Sequence, residues 1–234
     1  MRLKSIFAVL ILATVLTAPA SALVLGLTWG VGQSPVTFNY FGADHTVYAG
    51  SLKGYFGGQL GNPLPPNDGT YFGDLFCVDL AHSITIPTEY EVESLPISAL
   101  ANGERLAWLY RNYADVAKND SGIASALQLA LWDIATDGGD GLDGGNFRYM
   151  SGASSKTQSS IMITESLGKS AEAIYLRAIG PYGQSVITRP VPEPGTFGLV
   201  GLGLTLVGLG FFRKRSYSSV SPTVLVAKDA STPM

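Results

Sequence analysis

The chain has 234 residues, 14% of them charged, and a formal net charge of −3. With no basic patch except at its two ends, it lacks the electrostatic footprint of a nucleic-acid binder. One cysteine and two histidines do not form any usual zinc spacing, and a single cysteine cannot close a disulfide within its own chain.

The first residues, MRLKSIFAVLILATVLTAPASA, place Arg2 and Lys4 before an apolar run from Ser5 to Thr17 and the small-residue triplet Ala20-Ser21-Ala22. That order predicts a cleaved signal peptide over residues 1–22, with signal peptidase as its processing partner. The other reading is a first transmembrane helix, for which the run is short. From Leu25 to Tyr90 the pattern is strand-like. VTFNYFG, TVYAGSLKGYFGG, LFCVDLAHSITI and TEYEVESL carry aromatic and β-branched residues in alternation. Turn-forming clusters such as GNPLPPNDG separate them, and links this short favour antiparallel pairing.

From Asn102 the period changes. GERLAWLYRNYADVAK puts Leu106, Leu109, Tyr110, Tyr113 and Val116 on one helical face. Asp120 or Ser121 caps a second helix, GIASALQLALWDIATD, whose apolar face is Ile123, Ala126, Leu127, Ala130, Leu131 and Ile134. Asp137, Gly138 and Gly139 stop it, and DGGDGLDGGN follows as a loop. Its GGDGLD fits one unit of a calcium-binding repeat, but repeats of that kind work only as stacked copies, and Asp137, Asp140 and Asp143 miss the EF-hand spacing. No metal or other cofactor is expected. A third helix is expected over roughly Thr157 to Ile179, with Ile161, Leu167, Ala171, Ile174, Tyr175 and Ala178 on its apolar positions. QSVITRPV is expected to be a last strand. Residues 23–190 thus predict one exported α+β domain, an antiparallel, barrel-like β-sheet unit with an inserted three-helix subdomain. A signal helix precedes it.

A C-terminal transmembrane helix follows. Thr196 to Phe212 is uncharged, rich in Leu and Gly, and just long enough to span a bilayer. Arg213, Lys214 and Arg215 come next and mark the cytoplasmic side, which puts the body of the chain outside. A plain membrane anchor would look like this. Val191-Pro192-Glu193-Pro194, the apolar run and the basic cluster in that order (residues 191–215) resemble the PEP-CTERM sorting signal of Gram-negative bacteria. The resemblance implies an inner-membrane intermediate, processing near the motif by an exosortase-type enzyme, and a final location in the cell envelope or outside the cell. Residues 216–234 form a polar tail, which is longer than such signals usually carry.

Cys77 raises a separate question, since an exposed free thiol in an exported protein would oxidise. It is therefore either buried as a small hydrophobe or chemically occupied. A Cys-His dyad with His45 or His82 has no motif to support it. On the second helix Gln128 lies about 140° from Ile123, on the shoulder of the apolar stripe beside Ala124, Trp132 and Ala135. A thiol held against a glutamine carboxamide can displace ammonia and form a thioester. FCVDL on a strand and LQLALWD on a helix together resemble the paired motifs of bacterial surface thioester domains. That resemblance implies a Cys77–Gln128 bond, with Phe76, Asp79 and Trp132 in support. It also implies attack on the bond by an amine- or hydroxyl-bearing group on a surface protein or polysaccharide. Each molecule would act once, so no enzyme is expected. The alternative is a structural or binding envelope protein with a quiet, buried Cys77.

Overall fold

The computed structural model describes residues 23–32, 34–56, 73–152 and 156–190, which lie within one compact unit ending at Val191. The expected signal peptide, the expected sorting signal with its apolar run, and the polar tail fall outside these residues. Among the described residues no helix is long and apolar enough to cross a membrane.

Six antiparallel strands close a barrel. They are β1 (Leu23–Trp29), β4 (Leu52–Phe56), β5 (Asp74–Cys77), β9 (Val186–Thr188), β8 (Ile174–Ala178) and β6 (Thr88–Pro96), in that order around the barrel, with β6 returning to β1. Closure leaves none of these strands as a free edge. Alternation along β1 buries Leu25 and Leu27 on one face and turns Gly26 to the other. Gly26 is paired with Tyr55 of β4 on one side and Glu89 of β6 on the other. The Tyr55 ring packs against the glycine and its hydroxyl donates to Glu89 at 3.0 Å. A Cβ at Gly26 would sit 2.0 Å from the ring. Gly26→Ala should therefore displace a buried aromatic and cost about 1–3 kcal/mol. Thermal unfolding checks this, and an unchanged midpoint would mean that the ring is not held in place.

A second sheet, β3-β2-β7, is built from β2 (Ser34–Tyr40), β3 (Ala43–Ala49) and β7 (Phe147–Gly152). Phe41 and Gly42 join β2 to β3, both at positive φ (48° and 87°), as a two-residue hairpin turn requires. Asn39 holds this turn by accepting from the Gly42 N–H and donating to Asp44.

Among the described residues there are three α-helices, α1 (Gly103–Ala117), α2 (Ser121–Asp137) and α3 (Lys156–Glu165). The Asp120 carboxylate caps α2 by accepting from the N–H groups of Gly122 and Ile123. Gly138, at φ 72°, ends the helix. Every residue of α2 from Ala124 to Ile134 is buried, so it is a central helix rather than a one-faced one. On α1 the buried stripe is Leu106, Tyr110, Ala114 and Ala117, with Leu109 beside it, while Val116 is 53% exposed.

Two expectations are corrected. The helix expected over Thr157–Ile179 ends at Glu165, where the chain turns through Gly168 at φ 67°. Ile174 to Ala178 is a barrel strand. Its apolar residues fit either period, and pairing with β6 and β9 decides between them. The strand expected over LFCVDLAHSITI is only four residues long. Beyond Cys77, Asp79 accepts from the Ala81 N–H and turns the chain out of the barrel.

Candidate functional site

Cys77 is the last residue of β5. On one side it pairs with Val186 of β9. On the other side the β4–β5 ladder covers only Leu52 with Leu75 and Lys53 with Asp74, so among the described residues no strand pairs with the Cys77 backbone there. Gln128, fully buried on α2, fills that place. Its Oε1 accepts from the Cys77 N–H at 3.1 Å and its Nε2 donates to the Cys77 carbonyl at 2.7 Å. The carboxamide of Gln128 thus acts as one more residue of sheet. It engages the cysteine's main chain, and the thiol points elsewhere.

The thiol faces Gln184. Its sulfur donates to the Gln184 Oε1 at 2.8 Å. Gln184 lies in the short loop before β9, two residues from Val186. Its Nε2 donates to the carbonyl oxygens of Asp79 (2.7 Å) and His82 (2.9 Å). Its own carbonyl accepts from the Tyr90 hydroxyl at 2.6 Å. Every polar atom of this carboxamide is therefore held, with oxygen toward the sulfur and nitrogen away from it. Burial pushes the Cys77 thiol far up from its ordinary pKa, with the Asp79 carboxylate adding to the shift. Burial also raises the Tyr90 hydroxyl. Both stay protonated at neutral pH.

Asp79 and His82 lie in the turn that follows. The His82 Nδ1 is 2.9 Å from the Asp79 Oδ2. A carboxylate can only accept, so Nδ1 carries the hydrogen and Nε2 is the basic nitrogen. His82 is 41% exposed and lines a cavity of about 320 Å³ that also touches Cys77, Gln128, Gln184 and Trp132. Trp132 is buried against Phe38 and Phe147 (ring centroids 5.4 and 6.2 Å), and its indole N–H has no partner among the described residues. Trp29 and Tyr48, edge to face at 5.8 Å and about half exposed, also line the cavity. His45 stacks on Phe38 in the wall. Phe76 points the other way, as strand parity demands, and meets Tyr110 of α1 at 6.1 Å. It supports β5 from behind and does not line the cavity.

Of the residues singled out from sequence, Cys77, Gln128 and Trp132 meet at this cavity, and Asp79 lies one turn away. The sorting-motif residues Val191 to Pro194 and Arg213 to Arg215 lie outside the described residues. Gln184 was missed. Its signal was a glutamine at the start of a strand that had to return to the sheet carrying the cysteine.

Fold and site define an α+β barrel domain that buries its one cysteine between two glutamines. Residues 190–215 match the family described as the PEP-CTERM protein-sorting motif. The motif implies an exported, membrane-transiting protein with an exosortase-type enzyme as its processing partner. No curated protein and no solved structure matches the chain.

Proposed function

We propose that this exported protein attaches covalently to a surface or matrix partner through an internal thioester, and that the acyl group comes from Gln184 rather than Gln128. The observation that carries this reading is the 2.8 Å approach of the Cys77 thiol to the Gln184 carboxamide oxygen. In the bond-forming step the Cys77 sulfur attacks the Gln184 Cδ. The C–S bond forms, the C–N bond breaks, and the thiol proton leaves with the nitrogen as ammonia. In the second step an amine or hydroxyl on the partner attacks the same carbon. An amide or ester forms, the C–S bond breaks, and the sulfur regains a proton. His82, with Nδ1 fixed by Asp79, is placed to take the proton of the incoming nucleophile at Nε2. Each molecule is consumed by one event, so the chemistry is not turnover catalysis. Attachment leaves the protein in the envelope or in the extracellular matrix.

The second reading is a structural or binding envelope protein whose thiol stays quiet. Its support is the same burial, which keeps sulfur protonated and poorly nucleophilic. Intact-mass measurement of the secreted protein separates the two readings. A thioester lowers the mass by one ammonia, and methylamine then adds to the protein and frees a thiol. His82→Gln should keep the deficit and slow methylamine capture. An undiminished mass and no capture would leave only the second reading.

A further inference from the structure

A cluster away from the cysteine has a different chemistry. Asp133 follows Trp132 on α2 and is fully buried, and among the described residues neither carboxylate oxygen has a well-formed hydrogen bond, the Gly141 N–H lying only close enough to favour its charge. Buried carboxylates are almost always paired, because an unpaired charge in the interior is costly. Asp137 lies one helical turn on, and Asp140 lies in the loop that follows. One oxygen from each of the three comes within 4.8 Å of the others. Two oxygens bound to one calcium ion at 2.3–2.6 Å can be at most about 5 Å apart, so this is the spacing of a shared ligand set.

The neighbours are arranged to leave that space open. Asp137 is held by the Asn146 side chain (2.9 Å) and the Phe147 N–H (2.7 Å), which sets its orientation. A Cβ at Gly145, whose φ is 72°, would lie 2.7 Å from an oxygen of Asp137 and from one of Asp140. Arg105 is the nearby cation, but its guanidinium is spent on Ser166, Gly138 and Ile163 rather than on these carboxylates. Asp143 points to Lys156 and takes no part. Burial, and then the Asp140 charge, push the Asp133 carboxyl up to about 7. The Gly141 N–H and Arg105 oppose this only in part.

We infer that Asp133, Asp137 and Asp140 form a binding site for a divalent cation of the calcium type. The donors are all oxygen, which selects a hard cation over zinc or copper. An ion there ties the C-terminal end of α2 to the start of β7.

Thermal unfolding of the full chain in mild detergent, freed of metal with EDTA, tests the site. Calcium at about 10 mM, well above the dissociation constants of extracellular modules, should raise the midpoint by about 3–6 °C. Magnesium should do less, because it gives up its waters reluctantly. Asp140→Asn, at an exposed position, should fold normally and lose most of the calcium shift. Gly145→Ala should lose it as well. A wild-type midpoint indifferent to calcium, or an Asp140→Asn midpoint that still rises in full, would overturn the inference. Neither result depends on the state of Cys77.

Discussion

After methylamine treatment and tryptic digestion, the added methylamide is expected on the peptide containing Gln184 and not on the peptide containing Gln128. Arg148, Lys156, Lys169 and Arg177 lie between the two glutamines, so each falls on its own peptide. The expectation rests on where each carboxamide is committed. Both polar atoms of the Gln128 side chain are bonded to the Cys77 main chain. To be attacked by sulfur, that amide would have to give up two buried hydrogen bonds and rotate. Gln184 needs less movement: its oxygen already meets the thiol, its nitrogen is held by two carbonyls on the far side, and the sulfur has only to shift from that oxygen to the adjoining carbon. Cys77→Ala and Gln184→Ala should each restore the full calculated mass and reduce methylamine capture to background. Methylamide on the Gln128 peptide would reverse the assignment of the two glutamines, and its absence from both would remove the thioester altogether.

Much of this site could be read from local pattern, and the missing part could not. FCVDL reads as a strand and LQLALWD as a helix, and each motif carries an aromatic neighbour within a few residues. Gln184 has no such signature. It stands in PYGQSVIT, a stretch that becomes meaningful only when β9 pairs with β5, a contact between segments 107 residues apart. Non-local pairing also explains the largest error in the fold. Ile174, Tyr175 and Ala178 suit a helix by spacing, yet the barrel needs a strand between β6 and β9. The strand β7, which follows the glycine-rich loop, is invisible in FRYMSG for the same reason. Its partner β2 lies over a hundred residues earlier, and the pairing itself is interrupted by a bulge. Asp133 escaped notice because it sits inside the second helix, while the acidic residues that drew notice were those of the loop.

Gln128→Leu should destabilise the protein by about 2–5 kcal/mol, whether or not a thioester forms. Leucine is close to glutamine in volume, so the cost does not come from a cavity. It comes from the Cys77 N–H and carbonyl, both buried at the end of β5, which would lose their partners together. Each orphaned group carries a penalty of about 1–3 kcal/mol. For a domain of this size that lowers the melting midpoint by about 5–15 °C. Cys77→Ala leaves the same main-chain pair intact and removes only a sulfur atom, so its midpoint should fall much less. The contrast assigns the two glutamines separate duties. One closes the sheet around the cysteine, and the other meets its sulfur. If Gln128→Leu melted like the wild type, the strand end would have to be satisfied by other groups. The fixed placement of Cys77 that the proposed acyl transfer depends on would then have another source.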